Sequence, residues 1–190
     1  MYMPQIIEND DIILEIPLVA SQELAQEIYT HVLDTLEMLK PWLPWAKDDY
    51  SMEDEKKFLI DYCLKNYNEQ AGYAYLIRDK GTRKFCGVVD IIKVDNDAKM
   101  GEIGYWLAKS AQGKGYMTKA VLLLEKTAFD NGFNRMEIRN DPQNQNSVNV
   151  AKRAGYHLDG VLRQDRWNPY YKKFADTNVW SKLKNEVILK

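Results

Sequence analysis

The sequence predicts an α/β protein: a mixed sheet carrying helices on its faces. Three observations lead there: two amphipathic helical patterns ahead of Tyr73, a series of short β-rich runs beginning at Tyr73, and an alternation of helical and extended segments after Met117. An early strand is expected near Ile12 to Ile16. Ser21 then caps a helix whose apolar residues Leu24, Ile28, Val32, Leu36 and Leu39 recur at helical spacing until Pro41 stops it. A second helix follows Ser51, where Ser51 and Asp54 form a capping-box pattern and Phe58, Leu59 and Tyr62 share a face. Between these helices lies KPWLPWA.

From Tyr73 the runs YAYLIR, FCGVVDIIKV and GEIGYWL read as antiparallel strands, the first two joined by a turn over Asp79 to Thr82. A helix from about Met117 to Asn131 carries Met117, Ala120, Val121, Leu124 and Ala128 on one side and ends at Gly132. FNRMEIR follows as a strand, Val148 to Ala154 as a short helix stopped by Gly155, and YHLDGVLR and FADTNVWSKL as two closing strands. The count is about seven strands, mostly antiparallel. With no linker, repeat or low-complexity tract, residues 1–190 are expected to form one domain.

Composition narrows the function. Of 190 residues, 45% are apolar and 28% charged, ordinary for a globular protein, and the formal charge of −2 gives no basic field for a nucleic-acid backbone. Cys63 and Cys86 fit neither a zinc spacing nor a disulfide framework. MYMPQIIENDD lacks the pattern of a signal peptide, and no apolar run approaches the roughly 20 residues of a membrane span. A cytoplasmic protein with reduced thiols, no metal and no membrane or nucleic-acid partner is expected.

The most informative stretch is GEIGYWLAKSAQGKGYMTKA, residues 101–120, in which a strand passes through two glycines into a helix. A glycine turn feeding a helix N-terminus presents unpaired backbone N–H groups to an anion, and missing Cβ atoms at Gly113 and Gly115 let the ligand approach. A phosphate is the candidate ligand.

Together with EIGYWL, AQGKGYMTKA, NQNSVNVAKRAGYHLDG and YYKKFADTNVWSKL, this stretch resembles the GNAT superfamily of N-acetyltransferases, and within it the RimJ/RimL branch that acetylates N-terminal amines of ribosomal proteins. The resemblance covers nearly the whole chain, since KPWLPWA also looks like that branch. It implies a GNAT-like fold with a splayed fourth and fifth strand and acetyl-CoA as cosubstrate. Gln112, Gly115 and Met117 occupy the marked positions of the family's Arg/Gln-x-x-Gly-x-Gly/Ala signature, so Gln112, Gly113, Lys114, Gly115, Tyr116 and Met117 are expected around the pyrophosphate. Met117 departs from the usual small residue; its backbone N–H is the group that bonds, and its side chain is free to turn into the core. For Lys114, a solvated surface role is the favoured reading. Backbone groups of Tyr105, Trp106 and Leu107 fall where the family holds the pantetheine arm as an added strand. Gly104 marks a bulge or close packing.

The implied reaction is direct attack of an amine on the thioester in a ternary complex. Glu102 is the candidate base, with a strand-end surface carboxylate as the alternative. Asn144, Ser147 and Gly155 match an Asn-x-x-Ser-x7-Gly-aromatic pattern of the branch; Asn144 either bridges a pantetheine amide or caps a helix. Many family members place a tyrosine acid where this chain has Ala151, so Ser147 or water is left to protonate the leaving thiolate. Trp42 and Trp45 either wall the acceptor groove or anchor the core. His31 and His157 are read as structural, and Asp176 as a turn or strand-pairing residue. The expected acceptor is a protein N-terminus, such as that of a ribosomal protein, served by a monomer or homodimer. A small amine acceptor (a polyamine or amine antibiotic) and a coenzyme A-binding sensor without turnover are the alternatives.

Overall fold

A computed structural model describes residues 1–187. Its eight strands form one sheet in the order β1-β2-β3-β4-β5-β6-β8-β7: β1 (Ile6–Glu8), β2 (Ile12–Glu15), β3 (Tyr73–Asp79), β4 (Phe85–Asp95), β5 (Met100–Leu107), β6 (Arg135–Asn140), β7 (His157–Asn168) and β8 (Lys173–Leu183). Neighbours pair antiparallel, except that β5 and β6 run parallel. The fold is therefore the expected mixed, mostly antiparallel one, with eight strands where seven were expected. The extra one, β1, is three residues long and folds back on β2 through a turn in which Asn9 Oδ1 accepts the N–H groups of Asp11 and Ile12 at 2.9 and 3.0 Å. The fourth and fifth strands of the sequence reading thus become β5 and β6.

Successive side chains of a strand point to opposite faces, and the apolar residues divide accordingly. Leu76, Val88 and Trp106 pack against α1 (Gln22–Leu39) through Ala25, Ile28, Val32 and Leu36. Tyr75, Ile77, Val89, Ile91 and Ile103 pack on the other face, with Met117, Ala120, Val121, Leu124 and Ala128. Those five belong to α4 (Tyr116–Asp130), which ends at Asn131 before Gly132, whose φ is +101°. Ser21 caps α1 as its sequence requires, its Oγ accepting the N–H of Leu24 at 3.1 Å.

The second helical segment departs from a regular α-helix. It starts as α2 (Met52–Lys57) with the Ser51–Asp54 capping box, widens into a π-helical stretch over Phe58–Lys65, and closes as α3 (Asn66–Glu69). Glu55, Leu59, Cys63 and Tyr67 are buried along it. That spacing of four drifts off one face of an α-helix, and the wider i→i+5 turn brings it back into line. The shared face of Phe58, Leu59 and Tyr62 is divided as a result: Leu59 is buried, while Phe58 and Tyr62 stack at 5.5 Å over a groove. Helix α5 (Gln145–Arg153) begins three residues before the expected Val148 because Asn144 caps it. Among the described residues no helix is long and apolar enough to cross a membrane.

Candidate active site

The sheet opens where β5 leaves β6. Met100, Gly101 and Glu102 pair with Arg135, Met136 and Glu137, and the pairing stops there. Beyond Glu102, β5 keeps β4 on one side and has no strand partner on the other among the described residues. A groove of about 1400 Å³ occupies this opening and runs from the glycine turn to Trp42 and Trp45, in the segment between α1 and α2, and to Phe58 and Tyr62 of the π-helical stretch.

At the first end, Gly113 and Gly115 hold φ values of +77° and +75°, and a Cβ on either would meet nothing within 4 Å. The glycines thus fulfil a backbone requirement and leave open space above the turn. Gly115 is the N-cap of α4 and supplies no side-chain acceptor, so the first amides of the helix carry no cap. Gln112, Gly113, Gly115, Tyr116 and Met117 line the groove; the Met117 side chain is buried. The lysine between the glycines is turned away: Lys114 is exposed, its Nζ 5.9 Å from the Tyr116 ring, and it does not line the groove. Gln112 Nε2 donates to the Leu107 carbonyl at 3.3 Å, and the Tyr116 hydroxyl donates to Asp79 at the end of β3. The cation that does reach this end is Arg153 of α5, whose Nε donates to Thr118 Oγ1 at 3.2 Å.

Midway, Tyr105, Trp106 and Leu107 line the groove. The Tyr105 hydroxyl lies 2.9 Å from Ser147 Oγ, and Asn140 Nδ2 donates to the same Oγ at 3.1 Å. Burial pushes the Tyr105 phenol up to about 12, so it is neutral and available as a donor. Asn140 is itself fixed, its Oδ1 accepting Asn178 Nδ2 and Trp180 Nε1 at 3.1 and 3.2 Å. Asn144, also in the groove lining, accepts the Ser147 N–H at 3.2 Å as the helix cap. The sequence placed Ser147 beside the sulfur but gave no sign of its bond to Tyr105, 42 residues away.

At the far end stand Glu102, Asp90, Tyr62, Phe58 and the tryptophans. Glu102 Oε2 accepts Lys93 Nζ at 2.7 Å and lies 3.7 Å from Arg139 Nε. Among the described residues Asp90 has no cation within 4.0 Å; Tyr62 donates to its Oδ2 at 2.7 Å, and no donor among them meets its Oδ1, which is sealed from solvent. Burial, the largest cause, lifts the Asp90 carboxyl to about 6. Glu55 is 0% exposed and bonded by the Tyr50 hydroxyl at 2.8 Å, and burial pushes it up to about 7. Trp45, 37% exposed, meets Trp106 at 6.0 Å and Tyr50 at 5.6 Å, while Trp42 meets Tyr171 at 6.2 Å; both tryptophans line the groove. Sequence reasoning missed Asp90, Tyr62 and Arg139. The lone carboxylate in the otherwise apolar GVVDII was the available signal for the first.

Other candidates fall elsewhere. His31 stacks near Phe85 at 5.3 Å, His157 Nδ1 lies 3.1 Å from Asp159, and Asp176 Oδ1 accepts the Gln164 N–H at 2.8 Å where β7 shifts register against β8. Cys63 and Cys86 are buried free thiols. Among the described residues no three His, Cys, Asp or Glu side chains gather as a metal site.

Comparison with known proteins agrees with this geometry. The sequence model of the acetyltransferase (GNAT) domain matches residues 19–157. The ribosomal-protein-serine acetyltransferase of Escherichia coli K12 is 28% identical over 172 residues, 90% of this chain and 92% of that one. Among solved structures, the microcin self-immunity acetyltransferase MccE, in complex with acetyl-CoA and AMP, superposes with a TM-score of 0.83 at 27% identity over 92% of this chain and 93% of its own. A RimL ribosomal alpha-N-protein acetyltransferase in complex with coenzyme A gives 0.84 at 24% over 94% and 97%, a likeness of fold.

Proposed function

The chain belongs to the GNAT acetyltransferases and is an acetyl-CoA-dependent N-acetyltransferase; we propose that its acceptor is a protein N-terminal amine, such as that of a ribosomal protein. The observation that carries this reading is the open edge of β5 between Glu102 and the Gly115-capped helix, in a groove that continues past Trp106 to the aromatic residues Trp42, Trp45, Phe58 and Tyr62. The similarity to the ribosomal-protein-serine acetyltransferase, which spans 90% of the chain, supports the choice of acceptor.

Acetyl-CoA supplies the activated acetyl group. The free edge of Tyr105–Leu107 offers backbone groups to the pantetheine amides, as an added strand would. Amides of residues 113–117, at the positive end of the α4 dipole, take the pyrophosphate, with Arg153 adding charge. The Tyr105–Ser147 hydroxyl pair lies at the thiol side and shares a proton with the leaving sulfur. Glu102, read from the sequence as the base, already carries Lys93 and Arg139; it is assigned here to holding the incoming ammonium at the opening of the strands.

The test is thiol release from acetyl-CoA with peptides of varied N-terminal residue, set against putrescine and an aminoglycoside. Turnover of a Ser- or Ala-initiated peptide at least tenfold above the small amines is expected. The reverse order overturns the acceptor reading, and acetyl-CoA binding with no acceptor turned over indicates a sensor.

A further inference from the structure

An acceptor amine arrives as an ammonium and must lose a proton before it can attack, so the groove needs a group that takes one. Of the carboxylates that line the groove, Asp90 and Glu102 stand on β4 and β5 where β5 leaves β6. Asp90 pairs in register with Gly104, and Ile92 with Glu102, so both acids project from the same face of neighbouring strands. Their surroundings differ. Glu102 is already engaged by two cations, Lys93 Nζ at 2.7 Å and Arg139 Nε at 3.7 Å. Asp90 has no cationic partner within 4.0 Å among the described residues; the side-chain donor it meets is the hydroxyl of Tyr62, and the Gly104 backbone lies against it. Tyr62 and Asp90 are both half-buried and both line the groove, joined by the bond from the Tyr62 hydroxyl to Asp90 Oδ2 at 2.7 Å.

We infer that Tyr62 and Asp90 form the proton-accepting dyad of the reaction, Tyr62 as the catalytic residue that meets the amine and Asp90 as the acid that receives the proton through it. The inference rests on the acetyl-transfer reading above. The step balances as follows. One N–H proton of the ammonium passes to Tyr62 Oη while the phenol's own proton passes to Asp90 Oδ2, leaving a neutral amine and a neutral carboxylic acid. The nitrogen lone pair then forms the C–N bond at the thioester carbonyl as the C–S bond breaks. Coenzyme A leaves as its thiolate and takes the second nitrogen proton by way of the Tyr105–Ser147 hydroxyls. Asp90 returns its proton to solvent through Tyr62 before the next turnover.

The electrostatics around the pair agree with this role. The side chains that face Asp90 are Tyr62 and Cys63 from the π-helical stretch and Glu102 from β5, and each is neutral or acidic. Burial and the carboxylates of Asp90 and Glu55 raise the Cys63 thiol, which stays protonated and adds no charge. A carboxyl lifted to about 6 is ionised at neutral pH and closer to the amine in basicity than an ordinary aspartate is.

The experiment is the pH dependence of kcat at saturating acetyl-CoA and peptide, for the wild type, D90N, Y62F and E102Q, with acetyl-CoA affinity measured by calorimetry on each. D90N keeps the shape of the side chain and Y62F keeps the ring stacked on Phe58, so affinity within about twofold of wild type is the check on folding. Losses in kcat of about 10²-fold for D90N and at least tenfold for Y62F are expected. The acid limb near pH 6 should vanish in D90N and persist in E102Q. Either an unchanged acid limb in D90N or its loss in E102Q overturns the dyad. If the wild type binds acetyl-CoA and acetylates nothing, the acetyl-transfer reading fails, and the dyad with it; wild-type turnover with D90N intact defeats the dyad alone.

Discussion

Gly104 is glycine because Asp90 lies against it: a Cβ at position 104 would stand 2.4 Å from Asp90 Oδ1. The two residues are register partners across β4 and β5, and the irregularity in that ladder lies further along, between Ile92 and Asp95. Of the two sequence readings of Gly104, close packing is therefore the one observed, and no bulge occurs there. The missing side chain lets a carboxylate sit inside the sheet surface at the point where the strands part.

A direct consequence concerns Gly104→Ala. The added methyl must displace Asp90 from Tyr62, which combines overpacking with a broken buried hydrogen bond, a loss of about 2–3 kcal/mol of stability. In an Asp90→Ala background the same substitution has nothing to strike and should cost under about 1 kcal/mol. Urea midpoints of the four proteins close the cycle. Equal costs in both backgrounds would show that Gly104 is required for some other reason.

Glu55 gives a pH-dependent expectation. Its carboxyl titrates at about 7 in the folded chain against an ordinary 4.5, so the native state holds the proton more tightly than the unfolded chain does. This contribution to stability is complete below about pH 4.5 and is lost as pH rises through about 7. Glu55→Gln keeps an acceptor for Tyr50 and removes the buried charge, so at pH 8 the variant should be more stable than wild type by about 2 kcal/mol. At pH 4 the two should melt together. A gain of the same size at both pH values would assign the effect to packing.

Much of this was legible in the chain because the signals were local. Ser21 with Leu24, Ile28, Val32 and Leu36 defines α1 within one segment, and Gly113 with Gly115 marks a turn that only positive φ satisfies. What escaped depends on distant partners. Asp90 reads as an intruder in an apolar strand until Tyr62, 28 residues earlier, is seen to hold it. The π-helical stretch escaped because its spacing of four follows from how Glu55, Leu59, Cys63 and Tyr67 are buried together, whereas an isolated helix would keep its ordinary period. Strand β1 was too short to carry an alternation of its own.

The glycine turn yields a binding prediction. Gly115→Val meets no neighbouring atom but forces a β-branched residue to a φ of +75°, a conformation such residues avoid. The turn should relax and move the first amides of α4 away from the pyrophosphate. Coenzyme A affinity is expected to fall at least tenfold, about 1.4 kcal/mol. Dephospho-coenzyme A, which keeps the pyrophosphate, should lose a similar factor, whereas a pantetheine fragment without phosphates should bind wild type and variant alike. Calorimetry that finds coenzyme A affinity unchanged in the folded variant removes the phosphate role from this turn.

Ser147 separates a structural from a chemical role most sharply. Asn144 caps α5, so Ser147→Ala leaves the cap in place; it removes the oxygen that Tyr105 and Asn140 share. Tyr105 retains the Ser147 carbonyl at 3.3 Å as a fallback acceptor, while Asn140 Nδ2 loses this partner. The stability loss should therefore be modest, about 1 kcal/mol, in line with one hydrogen bond. Turnover should fall further, about 10-fold to 10²-fold, because the hydroxyl pair that returns a proton to the thiolate is broken. The two effects are separable by substrate: a thioester with a more acidic thiol needs less help in leaving, so the turnover defect should shrink with such a donor while the melting temperature stays the same. A defect of equal size with both donors would leave Ser147 holding Tyr105 in place and nothing more.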